Sequence, residues 1–524
     1  MIFKSPYPDA VIPELSAPQY VLQCAQELSD KPALIDGPSG RTITYGQLAQ
    51  AVQRVAAGLA QRGLRKGDVF AIYSPNLPEY AVAFHAVASL GGIITTINPL
   101  VTADELAYQL DDAGAQYLLT IPQCLATAST AASHARIREI FVFGEAEGAT
   151  PFAELLVSEG LAPVVAIDPR KDLLVLPYSS GTTGFPKGVM LTHYNIVANI
   201  CQCQALPAKD LTPDDTLIAV LPFFHIYGMT ILMNLALCEG ATVVTMPRFD
   251  LEQFLQIMQD YGVTFAYLVP PIVLALAKHP SVDKYDLSKL TAINSGAAPL
   301  GEDLARACAA RLGCLVKQGY GLTETSPVTH INLAVLDKIK PAAVGPCIPN
   351  TECKVVDFVS EAALGPNQQG EIWVRGPQVM QGYLNRPDAT AAMIDAEGWL
   401  RTGDIGYADE DGYFYIVDRA KELIKYKGYQ VAPAELEAVL LAHPAIADAA
   451  VIPSADEEAG EVPKAFVVRR GAVTADEVMA FVAERVAPYK KVRAVEFIEQ
   501  IPKSATGKLL RRVLVERERA ALRV

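Results

Sequence analysis

The chain has 524 residues, and 44 Lys and Arg stand against 58 Asp and Glu, which gives a formal net charge of −14. That length predicts three or four folding units, and the acidic balance argues against binding to a nucleic-acid backbone. Hydrophobic residues make up 51% and charged residues 19% of the chain, a composition that excludes a disordered protein and allows large cores.

The two ends of the chain and its cysteines carry no targeting or cross-linking pattern. The first ten residues, MIFKSPYPDA, lack the basic and apolar regions of a secretory signal, and the last four, ALRV, are not a peroxisomal signal. The nine cysteines include no CxxC pair, so the sequence predicts neither a zinc framework nor a disulfide scaffold, and we interpret the cysteines as reduced, mostly buried thiols. We expect a cytoplasmic protein.

Helical and strand patterns alternate over the first 340 residues. Thr44 and Gln47 match a capping box at the start of an apolar helical repeat, and the apolar run 69–73 predicts a buried strand. Farther along, residues 251–261 predict a helix that leads into a buried strand at 265–269. This alternation predicts a mainly parallel sheet covered by helices, with ligands at the carboxyl ends of the strands.

Two uncharged stretches, 80–103 and 216–238, are long enough to raise the question of a membrane span. Glycine, proline and polar residues interrupt both of them. Buried parallel strands followed by core helices give the same continuous apolar signal. We therefore predict no membrane span.

The pattern changes near residue 343 and again near residue 420. Short alternating strands with an Asp411-Gly412 hairpin turn predict a β-rich subdomain over about 343–420. Beyond it, Pro433 opens a helix, apolar runs lie at 446–452 and 464–468, and Thr474 with Glu477 caps a second helix. We predict an α/β fold with a large domain over 1–420, whose α/β part extends to about 342, and a small α+β domain over 421–524, joined by a hinge near 418–421.

The strongest chemical motif is the segment YSSGTTGFPKG at 178–188, which follows the apolar run 173–176. Glycines and small hydroxyl residues let the backbone approach an anionic group closely, and a lysine adds positive charge. The segment does not fit the spacing of a P-loop, so the usual GTPase and ATPase interpretation fails. We predict a phosphate-binding loop that uses Ser179, Ser180, Gly181, Thr182, Thr183 and Lys187.

Together with other segments, this loop resembles the adenylate-forming enzymes, which include acyl- and aryl-CoA ligases, firefly-type luciferases and the adenylation domains of peptide synthetases. The resemblance covers nearly the whole chain. Within that family, the segments 222–227 and 425–435 are most similar to 4-coumarate and cinnamate CoA ligases of bacterial type. The other matching segments are QGYGLTE at 318–324, TGD at 402–404, DRAKE at 418–422, KYKGYQ at 425–430 and PKSATGK at 502–508.

The resemblance implies a two-step reaction in which a carboxylate attacks the α-phosphate of ATP to give an acyl-AMP, and the CoA thiol then displaces AMP. Two anions meet in the first step, so fixed positive charge and Mg²⁺ are expected at the site. The implied substrates are a small carboxylic acid, ATP and CoA. The family also implies that the small domain is mobile and rotates between the two steps.

The resemblance also implies roles for individual residues. Lys508, His225, Lys425 and Gln430 match catalytic positions, and Glu324 matches the Mg²⁺ ligand; by itself, the group of Lys425 and Lys427 would be interpreted as a solvated charged face. The remaining matches bind nucleotide or CoA. The nucleotide positions are Gln318, Gly319, Tyr320, Thr323, Asp404, Arg419 and Lys421, and the CoA positions are Arg248, Lys427 and Gly428.

The resemblance places the acyl pocket around Tyr227. Glycines among the pocket residues predict flat slots that an aromatic ring could fill, which favours cinnamate or 4-coumarate as the substrate. Ile231 departs from plant coumarate ligases, which commonly have a small residue there, and a branched side chain would shorten the pocket against 3-methoxylated rings. The pocket set is Tyr227, Ile231, Gly296, Ala297, Gly319, Gly321, Pro327 and Val328.

Several alternatives remain open at this stage. A medium- or long-chain fatty acyl-CoA ligase would share the chemistry and differ only in the pocket. An adenylation enzyme that loads a carrier protein in trans, or a light-emitting monooxygenase, would differ in the second step; the short stretch after Lys508 leaves no room for a fused carrier domain. A non-catalytic nucleotide-binding protein is disfavoured because the charged motif positions are all filled. The sequence does not determine the oligomeric state.

Overall fold

A computed structural model describes residues 1–158, 160–179, 186–208, 210–419, 422–427, 429–456, 459–504 and 507–521. These residues form four β-sheets, two of them eight-stranded and two five-stranded. The helices pack around the sheets. Their bounds are Ala17–Val21, Tyr45–Gln61, Pro78–Ser89, Ala103–Ala113, Leu125–Ala132, Ala153–Leu156, His193–Gln204, Ala236–Cys238, Leu251–Asp260, Pro270–Lys278, Glu302–Leu312, Pro387–Met393, Pro433–Leu441, Ala475–Ala483 and Arg511–Ala521.

The first two sheets are mainly parallel, as the alternating pattern predicts. Their antiparallel pairs lie at the edges. The first sheet has the spatial order Gly382–Tyr383, Lys187–Thr192, Leu173–Ser179, Ile93–Ile97, Val69–Tyr73, Ala115–Thr120, Glu139–Val142, Thr150–Pro151. The second has the order Val328–Ile331, Leu315–Gly321, Ala292–Ser295, Phe265–Leu268, Thr216–Ala219, Thr242–Thr245, Pro32–Asp36, Thr42–Thr44.

The local patterns fold as predicted at several places. Residues Val69–Tyr73 form a fully buried central strand, and helix Tyr45–Gln61 begins at the Thr44 cap. There the Gln47 N–H donates to Thr44 Oγ1 at 3.2 Å, and the Thr44 N–H donates to Gln47 Oε1 at 2.9 Å. This reciprocal pair satisfies two backbone donors that the helix itself leaves unpaired.

The two long apolar stretches are buried in the core and form short elements. Helix Pro78–Ser89 precedes strand Ile93–Ile97, so the first stretch has the reverse of the predicted strand-then-helix order. In the second stretch a π-helix, Gly228–Leu235, follows strand Thr216–Ala219. Within the described residues, no helix combines the length and apolar character that a bilayer crossing requires.

The third sheet is antiparallel and belongs to the predicted β-rich region, with one addition from the N-terminus. Strand Phe3–Lys4 pairs with Glu352–Val356, a long-range pairing that no local pattern predicts. The Asp411-Gly412 turn joins the last two strands, as expected. The spatial order is Phe3–Lys4, Glu352–Val356, Gly370–Arg375, Leu400–Ala408, Phe414–Arg419.

The fourth sheet is formed by the C-terminal segment alone. Helices Pro433–Leu441 and Ala475–Ala483 pack with it around their own apolar core. Its spatial order is Tyr429–Val431, Ile424–Tyr426, Gly460–Arg469, Ile446–Asp456, and Ala494–Phe497 pairs with Gly460–Arg469. Short 3₁₀ turns lie at Pro122–Cys124, Pro280–Lys284, Thr323–Thr325, Leu336–Lys338 and Pro488–Lys490.

Candidate active site

The predicted site residues gather at the carboxyl ends of two neighbouring strands of the second sheet. Strands Ala292–Ser295 and Leu315–Gly321 are parallel, so the residues that follow them meet at one edge. Gly296 and Ala297 follow the first strand, and Glu324 follows the second on a single 3₁₀ turn. Ala297 has a left-handed backbone, with φ of 69°, a strained conformation of the kind that functional sites retain.

Asp404 is held from both sides by two of the predicted nucleotide-binding residues. Arg419, its partner on the neighbouring strand, has Nε 3.1 Å from Oδ1 of Asp404. The Tyr320 hydroxyl donates to Oδ2 at 2.6 Å. Asp404 is only 4% exposed, and burial raises its pKa although Arg419 and Tyr320 oppose that shift. The carboxylate is therefore fixed in orientation, as a group that must accept two hydroxyls requires.

Glu324 is also buried and oriented, by a residue that the sequence did not single out. The hydroxyl of Tyr383 donates to Glu324 Oε1 at 2.8 Å. The ring of Tyr383 lies 5.1 Å from the Nζ of Lys187, within cation–π range. Tyr383 reaches this place because its short strand pairs with the strand of Lys187, a long-range contact that has no local sequence signature.

Lys508 lies at the same site although it comes from the C-terminal segment. A tight turn carries it: the Ser504 N–H donates to the Lys508 carbonyl at 2.8 Å, and the Lys508 N–H donates to Ser504 Oγ at 3.1 Å. Burial lowers the pKa of Lys508, and the charge of Arg419 lowers it further, whereas Asp404 and neighbouring carboxylates raise it. The ammonium thus interacts electrostatically with the residues around Asp404.

A close approach of Gly507 to the large domain holds this turn in place. Gly507 has φ of +74°, and a Cβ there would lie 3.1 Å from Val269 Cγ2 and 3.4 Å from Pro271 Cγ. A side chain would therefore meet the start of helix Pro270–Lys278 in a backbone conformation that already favours glycine. Glycine at this position allows the turn to bring Lys508 to the site.

An ionic cluster lies beside the predicted hinge, within the C-terminal segment, and one hydrogen bond connects that segment to Asp418 at the hinge. Arg511 forms an ion pair with Glu422 and donates from its guanidinium to Glu437 Oε2 at 2.7 Å. Asp418 Oδ2 accepts from the N–H of Ala434 at 3.0 Å. Glu437 is buried, and burial raises its pKa to about 7 despite Arg511. Sequence reasoning did not predict this cluster, because its members are far apart along the chain.

His225 is neutral in the folded protein. Burial lowers its pKa to about 4, and the nearby charge of Lys508 adds to that shift. Its Nδ1 accepts from the N–H of Tyr227 at 3.3 Å, so the single proton of the neutral ring is on Nε2. His225 is therefore a hydrogen-bond donor at Nε2, a point that the sequence left open.

Two of the predicted pocket glycines, Gly296 and Gly321, do not leave the open slots that we expected. A Cβ on Gly296 would lie 2.9 Å from the ring of Tyr227, and one on Gly321 would lie 2.0 Å from the Pro327 carbonyl oxygen. At these two positions the space of the missing side chain is filled by protein atoms, so the expected slots are absent there. The glycines instead let Tyr227 and the chain at Pro327 pack closely.

Polar atoms near Tyr227 are buried without partners among the described residues. Tyr227 Oη donates to the Asn294 carbonyl at 3.2 Å and accepts from Asn294 Nδ2 at 3.0 Å. Asn294 Oδ1 and Ser295 Oγ make no hydrogen bond to any described group. Buried polar atoms are rarely left unpaired, so these two atoms are typical of a place where a ligand or water binds. Ile231 and Val328 are buried apolar residues of the same set.

The side chain of Gln318 connects two loops that flank the site. Its amide donates to the carbonyls of Leu300 and Pro341 at 3.1 and 2.6 Å, and its Oε1 accepts from the N–H of Leu300 at 3.0 Å. The side chain is buried. Gly319 and Thr323 lie on the same edge, partly buried.

Other predicted residues are not brought to this edge or lie outside the described residues. Lys425 and Lys427 have exposed side chains on a hairpin of the fourth sheet, and Arg248 is exposed after strand Thr242–Thr245. The backbone of Gln430 belongs to the same hairpin, in strand Tyr429–Val431. Ser179 ends strand Leu173–Ser179. Outside the described residues lie Ser180, Gly181, Thr182, Thr183, Lys421 and Gly428.

Two protein-family profiles match the chain. The AMP-binding enzyme family matches residues 22–384, and the AMP-binding enzyme C-terminal domain matches residues 435–508. Among curated proteins, 4-coumarate–CoA ligase 5 of Oryza sativa subsp. japonica is 44% identical over 98% of this chain and 96% of its own length. 4-Coumarate–CoA ligase 1 of Solanum tuberosum is 45% identical over 100% of this chain and 97% of its own length.

Solved structures show the same fold. The anthranilate CoA ligase AuaEII in complex with anthranoyl-AMP superposes with a TM-score of 0.90 at 25% identity, covering 98% of this chain and 99% of that one. ATP-bound MatB from Rhodopseudomonas palustris superposes with a TM-score of 0.85 at 30% identity, covering 96% of this chain and 99% of that one.

Proposed function

The chain belongs to the AMP-binding enzyme family, and on that premise we propose that it is an ATP-dependent carboxylate–CoA ligase that activates an arylacrylate, 4-coumarate or cinnamate, as an acyl-AMP. Pyrophosphate leaves in the first step, and the CoA thiol displaces AMP in the second. The single observation that carries the proposal is the approach of the Lys508 turn to Val269 and Pro271 of the large domain, which brings the ammonium within electrostatic range of Asp404 and Glu324.

Lys508 is placed to bridge the two anions of the first step. A carboxylate oxygen must approach the α-phosphate closely, and the two groups repel each other. A fixed ammonium beside both of them lowers that repulsion and stabilises the charge that develops on the phosphate. The ammonium of Lys508 is mostly buried, which lowers its pKa, and burial of this kind strengthens its interaction with an anion.

Asp404 supplies the ribose contact. Arg419 and Tyr320 hold its two oxygens, so the carboxylate accepts the two ribose hydroxyls without reorienting. Arg419 is kept charged: burial lowers its pKa, but the neighbouring Asp404, Tyr320 and Glu422 outweigh burial and raise it. The guanidinium therefore serves both as a support for Asp404 and as positive charge near the phosphates.

Glu324 fits the Mg²⁺ that this chemistry calls for. Carboxylate oxygens are the ligands that Mg²⁺ prefers in proteins. Tyr383 holds Oε1, and no hydrogen-bond donor among the described residues contacts Oε2. The bound ion would supply neutralisation of phosphate charge. Glu324 and Tyr383 together would keep that carboxylate oxygen pointed at the phosphates.

The second step needs different groups at the same place. Lys425 and Lys427 are exposed in this structure, so they do not contribute to the site while Lys508 occupies it. We propose that residues 421–524 rotate as one domain about a hinge near 418–421, withdraw Lys508, and present the hairpin with Lys427 and Gly428 to CoA. Arg248 would meet the CoA phosphates. The hydrogen bond from the Ala434 N–H to Asp418, which lies at the hinge, would change during this rotation.

The acyl group would bind between Tyr227 and Val328, with the carboxylate near His225. The neutral imidazole offers an Nε2–H donor to a carboxylate oxygen, and it adds no charge that would compete with Lys508. Buried Ile231 limits the depth of the pocket, so a 3-methoxylated ring should bind less well, because overpacking costs about 1–3 kcal/mol.

The test is ATP-dependent thioester formation by purified protein with Mg²⁺ and CoA, with cinnamate, 4-coumarate and octanoate compared at equal concentration. Fast turnover of the arylacrylates is the expected result. A preference for octanoate would keep the ligase chemistry and overturn the arylacrylate proposal. Pyrophosphate release without any CoA thioester would overturn CoA as the second substrate and point to a carrier protein or oxygen.

A further inference from the structure

One cluster of metal-ligating side chains lies outside the candidate active site. His330, Cys347 and Cys353 are together in the core, with 0%, 1% and 0% of their surfaces exposed. His330 comes from strand Val328–Ile331 of the second sheet, and Cys353 comes from strand Glu352–Val356 of the third. Cys347 lies on the connection between them and is bridged to His330 through the backbone.

The distances between the three possible ligand atoms are close to those between the ligands of a tetrahedral metal ion. Nε2 of His330 is 3.5 Å from Sγ of Cys347 and 3.3 Å from Sγ of Cys353, and all three atoms lie within 4.8 Å of one another. A tetrahedral ion with bonds of about 2.3 Å to sulfur and about 2.0–2.1 Å to nitrogen separates S from N by roughly 3.5 Å. The observed distances agree with that arrangement.

The orientation of the imidazole also suits a metal ligand. Nδ1 of His330 lies 2.9 Å from the Thr329 hydroxyl, so the far side of the ring is held by a partner and Nε2 is directed at the two sulfurs. Metal-binding histidines are usually fixed in this way through their other nitrogen.

The total charge of the three ligands indicates which kind of metal ion would bind. Two thiolates and one neutral imidazole bring a charge of −2, which a divalent cation cancels, and a net neutral group is tolerated in a dry core. Thiolate and imidazole are the ligands of thiophilic ions, and Zn²⁺ is the common divalent example. We propose that His330, Cys347 and Cys353 bind Zn²⁺ in the core of this protein as three of its four ligands, with a water molecule as the fourth.

Binding of Zn²⁺ at this site exchanges protons for the metal ion and changes no oxidation state. Zn²⁺ takes the place of the two thiol protons, which are released to solvent, and the imidazole binds through the lone pair of Nε2. Because the cluster is closed to solvent, the ion would enter while the chain folds. It would join the second sheet to the third beside the nucleotide site, since His330 is the strand partner of Tyr320, which holds Asp404.

The experiment measures metal in the full-length protein after expression in medium supplemented with zinc and, separately, with cobalt. About one equivalent of zinc per chain is expected for the wild type, and the cobalt form should show a thiolate-to-cobalt charge-transfer band in the near ultraviolet. Cys347→Ser and Cys353→Ser should each lose at least about 90% of the metal. The matched control is Cys314→Ser, a buried thiol elsewhere in the fold, which should keep it.

Three results would overturn the site. The first is a folded wild type that holds less than about 0.1 equivalent of zinc and shows no cobalt band. The second is full metal content in both serine variants, and the third is a Cys347–Cys353 disulfide or one equivalent of copper in place of zinc. If a serine variant fails to fold by circular dichroism, the wild-type zinc content and cobalt spectrum decide by themselves.

Discussion

Two lysine-bearing turns of the C-terminal segment differ in their exposure to solvent. The turn that carries Lys508 packs against Val269 and Pro271 of the large domain, and its ammonium is partly buried among Arg419, Asp404 and Glu324. The hairpin that carries Lys425 and Lys427 is exposed, and its Tyr429 ring stacks on Tyr489 at 4.6 Å within the same small domain. All of these residues are lysines, so residue type alone does not distinguish them. The surface that each lysine faces distinguishes Lys508 from Lys425 and Lys427.

The comparison teaches how one small domain can serve two chemical steps. Lys508, which we propose for the first step, is on the face that contacts the large domain, while Lys425 and Lys427, which we propose for the second, are on a different, exposed face. A rigid small domain cannot present both faces to one site at once. The arrangement in this structure therefore matches the one that we propose for adenylation.

The largest effect is expected for Lys508→Ala. Removing the ammonium should slow acyl-AMP formation, measured as pyrophosphate release, by about 10³-fold or more, because fixed charge at the phosphate is lost. Conversion of supplied acyl-AMP and CoA to thioester should stay within about twofold. Arg512→Ala is the matched control, an exposed basic residue near the same turn. An equal loss of rate in both steps in a folded variant would contradict the proposal that Lys508 serves only the first step.

Asp404→Asn should come next. The asparagine loses one acceptor oxygen and its ion pair with Arg419, so the KM for ATP should rise by about 10–100-fold. Initial rates over a range of ATP concentrations give this value. An unchanged KM for ATP would show that the ribose binds elsewhere.

Lys427→Gln tests the exposed turn. Thioester formation from acyl-AMP should fall by about 10-fold, because a charge that meets CoA is removed, while pyrophosphate release should change by less than about twofold. Lys289→Gln, an exposed lysine of the large domain, serves as control. A stronger effect on pyrophosphate release than on thioester formation would contradict the proposed division of labour.

Tyr383→Phe removes only the hydroxyl that orients Glu324. One hydrogen bond to a carboxylate contributes about 1.5–3 kcal/mol at most, so the Mg²⁺ concentration for half-maximal activity should rise several-fold. Titration of activity with Mg²⁺ at saturating ATP measures this shift. The ring stays in place over Lys187, so the fold should not change.

The smallest effect is a difference in pH profile. Burial and Arg419 lower the pKa of Lys508 below its ordinary 10.5, so the charged form is lost at a lower pH than in a free lysine. Adenylation should decline on the alkaline side below pH 10.5, and thioester formation from acyl-AMP should lack that limb. His225, with a pKa of about 4, should add no acid limb above pH 5. If both steps lost activity over the same alkaline pH range, deprotonation of Lys508 would not be the cause of the decline.

The local elements and the order of the motifs follow from short-range sequence patterns. The buried strand Val69–Tyr73 and the helix capped by Thr44 formed as predicted, because apolar periodicity and capping depend on residues a few positions apart. The motifs that resemble adenylate-forming enzymes were sufficient to expect the family and the fold that the comparisons bear out.

Only the tertiary structure decided which residues meet. Tyr383 beside Glu324, the Arg511 cluster at the hinge, and His330 with Cys347 and Cys353 all join distant parts of the chain. The pocket glycines show the same limit, since the sequence records a missing side chain but not the atoms that fill its space. Partners in space are chosen by strand pairing and packing over the whole chain, and a local pattern does not encode them.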